Sequence, residues 1–357
     1  MKKELKIGIV AGGTGGHIFP AISLSEQLLS EGKKIIFFSD TRVSRITKHN
    51  VNLFKNKNIN LYTFNISKNF FNFVNYFRNF LKIFVLLKKE NPKIIVGFGG
   101  YTSIPLLIAA KLLFKPIVLH EQNIVIGSTN KFFLPFSKRI IFGLGDKNKK
   151  KNNKKFFFVR NPVRKKVLFL RKKIKFNFNK KKINILIFGG SQGANLIDHK
   201  LPKAINSLPI LIKKKINIYH QCSKKNLEFV KKEYQRNNIT SYCKTFFFNL
   251  PEIIFKSQFV VSRSGASSLS EITALGKPAL LIPYKFSKNN HQLKNAKWFV
   301  KNGCGSYLEE NKLTENKLKL KIIDFIKNKK KIKKMSLNSF SLWDDKSLLK
   351  LSKLIDL

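Results

Sequence analysis

The stretch LKIGIVAGGTGGH, residues 5–17, decides the fold. A short apolar run breaks into Gly12, Gly13, Gly15 and Gly16, and a helical sequence opens around Ile18–Pro20. A continuous apolar run of this length reads as a strand buried on both faces of a parallel sheet. Glycines let the chain turn sharply and let its N–H groups approach a phosphate or sugar. The N-terminus of the next helix adds partial positive charge. The loop is neither G-x-G-x-x-G nor a Walker loop, since no Lys-Ser/Thr follows.

The pattern returns at residues 183–193, INILIFGGSQG, where Ser191 and the neighbouring amides are placed to hold a diphosphate. A third instance, Arg263-Ser264-Gly265-Ala266-Ser267-Ser268, follows the run Phe259–Ser262 and opens a helix that carries Glu271. A carboxylate one or two turns into such a helix can accept both ribose hydroxyls. Two such loops in one domain, at the ends of different strands, describe a nucleotide pocket at a sheet edge.

Strands are expected in the first half at Leu5–Val10, Lys34–Ser39, Leu61–Phe64, Ile94–Gly97, Ile117–His120, Arg139–Phe142 and Phe156–Val159. In the second half they are expected at Ile183–Phe188, Ile216–His220, Lys244–Phe248, Phe259–Ser262 and Ala279–Pro283. Helix-length segments alternate with them, which argues for doubly wound α/β units. With 357 residues the chain suits two domains. We place them at 1–162 and 163–346, with lysine-rich stretches at 146–155 and 175–182 around the junction. An amphipathic helix over 347–357, with Leu348, Leu349, Leu351, Leu354 and Ile355, is expected to pack back on the first domain.

Composition sets the partners. Seventy Lys+Arg against 19 Asp+Glu give a net charge of +51, which points to an anionic partner, nucleic acid or membrane. Phe is inflated as well, to 34 residues, together with Lys, Asn and Ile. Their codons are rich in A and T, so compositional drift accounts for most of the charge, with membrane attraction as its consequence. Cys222, Cys243 and Cys304 fit neither a zinc site nor a disulfide framework, and a reducing compartment is expected. The N-terminus reads as a first strand, not a signal peptide. Ile104 to Leu119 is too interrupted to span a bilayer. Residues Asn69 to Leu87 read as a helix with a wide apolar face, followed by Lys88 and Lys89, which suits either a core helix or a membrane interface. There is no D-x-D pair and no His/Cys/carboxylate cluster with metal-ligand spacing, so metal-independent chemistry is preferred. Of six histidines, only His17, His120 and His291 fall in candidate site loops.

The ordered set GGTGGH, GFGGY (97–101), HEQN (120–123), NPVR (161–164), GGSQG, RSGA followed by Ser270-Glu271, and HQLKNA (291–296) resembles the MurG family. These are UDP-N-acetylglucosamine transferases that convert lipid I to lipid II in peptidoglycan synthesis. The resemblance runs from about residue 5 to 300, and the ordered set is highly specific. It implies a GT-B fold of two Rossmann-like domains with an interdomain cleft. It also implies inverting transfer, without metal or other cofactor, to the 4-hydroxyl of the muramyl residue. The partners implied are UDP-N-acetylglucosamine, the undecaprenyl-linked acceptor and the anionic cytoplasmic membrane surface, with no specific nucleic acid.

By matching motifs, the resemblance assigns Arg164, Ser191, Ala266, Ser267, Ser268, Leu269, Ser270, Glu271 and Gln292 to the donor. Thr14, Gly15, Gly16 and Asn123 would reach its sugar and phosphates from the first domain. His17 is the implied base or acceptor-positioning group, and His291 could share the role of Gln292. Departures are Arg160, where a Gly usually precedes NPVR, and Ser268 in place of Thr. FFFNLPE at 246–252 lacks the usual acidic pair, so Phe247 would pack on the uracil. Two rivals are a basic nucleic-acid-binding protein and another GT-B enzyme, either a glycolipid glycosyltransferase or a UDP-N-acetylglucosamine epimerase.

Overall fold

The computed structural model describes residues 5–41, 51–66, 73–145, 154–176, 182–189 and 194–356. The chain divides into two units, Met1–Arg164 with Asp345–Leu357, and Lys165–Asp344.

The first unit holds a seven-stranded sheet in the order β3-β2-β1-β4-β5-β6-β7. Its strands are β1 Lys6–Val10, β2 Lys34–Asp40, β3 Ile59–Phe64, β4 Ile94–Gly97, β5 Ile117–Glu121, β6 Arg139–Phe142 and β7 Phe156–Phe158. All pairings are parallel. The helices α1 (Gly15–Ser30), α2 (Phe73–Glu90), α3 (Ile104–Leu112) and α4 (Ser128–Phe133) connect them. Side chains alternate across a strand, so Ile35 and Phe37 face α1 while Ile36 and Phe38 face α2 and α3. The strand positions expected from the sequence hold for this sheet to within two residues.

The second unit has a six-stranded sheet in the order β10-β9-β8-β11-β12-β13, again parallel throughout. Its strands are β8 Ile183–Phe188, β9 Ile216–Gln221, β10 Thr240–Lys244, β11 Phe259–Ser262, β12 Ala279–Leu281 and β13 Gly305–Tyr307. The main helices are α5 (Lys165–Arg171), α6 (Asn195–Asn206), α7 (Leu227–Gln235), α8 (Leu250–Lys256), α9 (Ala266–Ala274), α10 (His291–Lys301), α11 (Glu315–Lys327) and α12 (Lys329–Ser341).

Two expectations are corrected here. The strand expected at Lys244–Phe248 lies at Thr240–Lys244 instead. It is a polar edge strand, and the phenylalanines after it form a loop in which Phe246 and Phe248 are exposed. The edge strand β13 was not expected at all. It is only three residues, GSY, and Gly305 lies so close to β12 that an added Cβ would meet the Ala279 carbonyl oxygen at 2.0 Å.

The last helix, α13 (Ser347–Ile355), returns to the first unit. Leu351 and Ile355 enter the core formed by β1, β2 and α1. Arg139 donates to the Leu354 carbonyl at 2.7 Å, and Lys33 bonds both Asp356 oxygens. Burying two such side chains contributes on the order of 3–6 kcal/mol before the entropy cost of ordering the segment.

Candidate active site

Each sheet reverses strand order beside its first strand: between β1 and β4, and between β8 and β11. In open α/β sheets that switch point, at the carboxyl ends of the strands, is where the diverging loops leave a crevice. The GGTGGH loop after β1 and the loop at 263–268 after β11 lie at these positions.

In the first unit the chain leaves β1 at Ala11 and enters α1 with Thr14 at the N-cap. Two residues at the end of β2 hold the turn. The Ser39 hydroxyl donates to the Ala11 carbonyl at 2.6 Å, and Asp40 Oδ2 accepts from the Gly13 amide at 2.6 Å. Gly13 has φ +85, the left-handed region that favours glycine. Gly12 is needed for a different reason: an added Cβ would stand 2.5 Å from Thr102 Oγ1 and 2.7 Å from Asp40 Oδ2.

His17, in the first turn of α1, has Nδ1 3.1 Å from the Gly12 carbonyl oxygen. A carbonyl only accepts, so in the neutral ring Nδ1 carries the proton and Nε2 is the basic nitrogen. The ring lies against Gly100, whose φ is +81 and whose added Cβ would be 3.4 Å from Nδ1. Arg164, which ends the first of this unit's two chain segments, places its guanidinium 5.1 Å from the centre of the Phe19 ring.

The HEQN segment is a buried polar network. His120 is fully buried, and burial, with a smaller contribution from His17, pushes its imidazole down to about 3, so the ring is neutral. Gln122 Nε2 donates to His120 Nδ1 at 3.1 Å and to the Phe98 carbonyl at 3.1 Å. The Glu121 carboxylate accepts four bonds. Oε1 takes the Asn123 amide and side chain, each at 3.1 Å, and Oε2 takes the Gly127 amide at 2.8 Å and Asn130 Nδ2 at 2.9 Å. Asn123 is thereby fixed by both backbone and side chain. Asn161, of the NPVR segment, donates to the Gln122 carbonyl at 3.0 Å, and an added Cβ at Gly143 would collide with it.

In the second unit Gly189 follows β8, and Ser191 with the rest of GGSQG lies outside the described residues. The neighbouring loop after β11 is well determined by its partners. Gly265 is the N-cap of α9, so the amides of Ala266 and Ser267 head its positive end. Ser267 and Ser268 are partly exposed, and Glu271 is 8% exposed. Leu269 is fully buried, and Ser270 Oγ donates back to the Ala266 carbonyl at 2.8 Å.

The HQLKNA helix is tied to the same loop. Ser264 Oγ donates to the Gln292 carbonyl at 2.7 Å, and Asn295 Nδ2 donates to the Ser264 carbonyl at 3.1 Å. Gln292 Oε1 accepts from the Tyr284 amide at 3.1 Å, and His291 Nδ1 lies 2.8 Å from the Lys288 carbonyl.

Phe247 departs from its expected role. Its ring is 4% exposed and its amide donates to Gln221 Oε1 at 3.0 Å, whereas Phe246 and Phe248 are 41% and 62% exposed. Stacking on a planar base needs an open ring face, which the two neighbours have and Phe247 lacks. Among the described residues no group of three or more His, Cys, Asp or Glu comes together as metal ligands would.

Sequence reasoning missed Asp40, Ser39, Thr102 and Asn130, all buried polar residues next to the named loops. A polar pair closing an apolar strand, Ser39-Asp40, was the available signal.

Comparison with known proteins matches both units. The glycosyltransferase family 28 N-terminal domain matches residues 7–142, and the C-terminal domain of the same family matches residues 184–352. The UDP-N-acetylglucosamine–N-acetylmuramyl-(pentapeptide) pyrophosphoryl-undecaprenol N-acetylglucosamine transferase of Wolbachia sp. subsp. Brugia malayi is 35% identical over 340 residues, 94% of each chain. The protein of that name from Rickettsia canadensis is 36% identical over 345 residues, 93% of this chain and 94% of its own. Among solved structures, Acinetobacter baumannii MurG superposes with TM-score 0.77 at 23% identity over 99% of both chains. A UDP-N-acetylglucosamine 2-epimerase does so with TM-score 0.68 at 14% identity, over 98% of this chain and 95% of its own, which shows shared fold alone. The two Rossmann-like units are those of a GT-B glycosyltransferase, and the identity to curated relatives over nearly the whole chain decides the matter: the chain belongs to the MurG family of N-acetylglucosamine transferases.

Proposed function

We propose that this chain moves N-acetylglucosamine from UDP-N-acetylglucosamine to the 4-hydroxyl of the muramyl residue of undecaprenyl-pyrophosphoryl-linked N-acetylmuramyl-pentapeptide, turning lipid I into lipid II. The observation that carries the chemistry is the His17 geometry. With Nδ1 committed to the Gly12 carbonyl, Nε2 is the proton-accepting nitrogen at the first switch point.

In the reaction Nε2 takes the proton of the 4-hydroxyl as its oxygen attacks C1 of the donor sugar. The C1–O bond to the diphosphate breaks on the opposite face, UDP leaves with the electron pair, and the configuration at C1 inverts. The growing diphosphate charge needs no metal where amides and cations are in place. The amides opening α9 support this reading, with Ser191 and Arg164 as the family pattern assigns them. Glu271, Gln292 and His291 are proposed for the nucleotide and sugar, and Thr14, Gly15, Gly16 and Asn123 for the donor from the first unit.

The membrane is the proposed surface partner, from the cytoplasmic face. Residues 69–72 of the expected apolar helix lie outside the described residues, and the rest forms α2. Phe77, Leu81 and Val85, spaced by four, are 52%, 46% and 63% exposed in one row. Arg78, Lys82, Lys88 and Lys89 are exposed beside them, and on α3, which packs on α2, so are Lys111 and Leu112. An apolar row edged by cations suits an interface with anionic headgroups, and it gives these cations an anionic partner other than nucleic acid. Among the described residues no helix is long and apolar enough to cross a membrane.

The catalytic assignment is tested with His17→Ala. Turnover should fall by a factor of about 100 or more, the usual contribution of a general base, with donor KM nearly unchanged. A loss confined to KM removes the base role.

A further inference from the structure

We infer that Asp40 is a positioning residue for His17, acting through the single peptide group that joins Gly12 to Gly13. The inference rests on His17 being the base, and it adds a residue that the family motifs do not include.

Asp40 Oδ2 accepts from the N–H of Gly13 at 2.6 Å. The carbonyl of that same peptide unit is Gly12 O, which receives His17 Nδ1–H across 3.1 Å. Carboxylate, amide and imidazole therefore form one line: anion to N–H, then C=O to N–H. A peptide group polarised by an anion on its N–H side is a stronger acceptor on its oxygen side, and Asp40 is 1% exposed, so water screens this poorly.

Three consequences follow for His17. Its tautomer is fixed with the proton on Nδ1. Its ring is held in one orientation, against Gly100. The imidazolium formed when Nε2 accepts the substrate proton is stabilised by a buried negative charge one peptide away. A direct Asp–His pair would do the same through contact; here the glycine turn is the conductor.

The local sequence is built for this line. Gly12 lets Asp40 and Thr102 approach to a distance that any Cβ would block. Ser39 fastens the preceding carbonyl, Ala11 O, at 2.6 Å, which holds the peptide in register without adding charge. The titratable and charged groups around His17 come from four elements. Those that face it among the described residues are Asp40 at the end of β2, one peptide away, and His120 at the end of β5 with its neutral ring; Tyr101 follows Gly100 in the chain after β4, and Arg164 lies over the Phe19 ring two residues along α1. Of these, Asp40 is the anion.

Asp40→Asn keeps the shape and an accepting oxygen but removes the charge. Removing an anion makes the imidazolium less stable, so the His17 pKa must fall. The full-length protein with labelled histidine, titrated by NMR, should show His17 lowered by about half to one pH unit. The acid limb of kcat/KM should move down by the same amount, and kcat should drop about tenfold with donor KM held within about twofold. Ser39→Ala, which loosens the loop without touching charge, should leave the His17 titration in place.

A folded Asp40→Asn protein with an unmoved His17 titration overturns the inference, and so does a loss seen in KM alone. Wild-type protein supplies a check that needs no variant: the nitrogen shifts of neutral His17 should show the proton on Nδ1, and a proton on Nε2 overturns the inference. If His17 titrates as described but His17→Ala keeps full turnover, the peptide line stands and the base assignment falls.

Discussion

Replacing Glu121 by Gln tests the buried network that sets Asn123. All four partners of this carboxylate are N–H donors: two on Oε1 from Asn123, and two on Oε2 from Gly127 and Asn130. Glutamine has the same shape, so packing is preserved. One of its two positions is an NH2 group, however, and whichever way the amide turns, two donors then face a donor. A net hydrogen bond to a charged group contributes about 1.5–3 kcal/mol, so losing two at a site 2% exposed should cost about 3–6 kcal/mol. That is a large part of the ~5–15 kcal/mol that holds an ordinary domain together. Denaturation of the full chain should show it directly, with the melting midpoint of the first unit lower by about 6–12 °C. The NH2 group either faces Asn123, removing both its tethers, or faces Gly127 and Asn130, loosening the loop that follows Asn123; in both cases KM for UDP-N-acetylglucosamine should rise, about tenfold in the first, while kcat changes less. A Gln variant within about 0.5 kcal/mol of the parent and with an unchanged KM would refute the reasoning, since the network would then contribute neither stability nor placement.

Three further outcomes are expected. Leu81→Glu with Val85→Glu should weaken binding to vesicles containing anionic lipid by about 30-fold or more, as about 2 kcal/mol of apolar contact is lost and two repelled charges are gained; sedimentation with the vesicles reads this, and unchanged binding removes α2 from the interface. Burial holds His120 down to about 3 against an ordinary value of 6.5, so the unfolded chain takes up a proton that the folded chain refuses. Its contribution to stability is whole above pH 6.5 and is lost as pH falls toward 3, with a slope approaching about 1.4 kcal/mol per unit. Unfolding measured from pH 6.5 down to 4.5 should be flatter for His120→Gln, and identical slopes contradict the assignment. Gly12→Ala should destabilise the first unit by about 1–3 kcal/mol through overpacking and lower turnover, since the new Cβ meets Thr102 and Asp40; calorimetry and the transfer assay check both parts.

The strands that position the site were legible because they are buried on both faces and so read as unbroken apolar runs. LKIGIV and INILIF needed no other signal. Edge strands escaped for the opposite reason. Thr240–Lys244 alternates exposed and half-buried positions, and its polar TSYCK is weaker than the FFF that follows. A run of three phenylalanines looks like a strand, yet two of them are open to solvent at a loop.

The glycine loops were legible as types, but the duties of single glycines were not. Gly13 is needed for its backbone angle and Gly12 for a neighbour's approach. That neighbour, Asp40, stands 27 residues beyond Gly13, and only the β1–β2 register brings it to the turn. The inward ring of Phe247 is likewise a matter of tertiary packing: alternation along FFF says that neighbours differ, not which one faces in.

The central claim is the transfer itself. Purified full-length protein, given UDP-N-acetylglucosamine and a lipid I analogue in detergent with chelator present, should release UDP and form the disaccharide product with a β-1,4 link. Folded protein that binds the donor but yields neither UDP nor the disaccharide, with or without added divalent metal, would contradict the account.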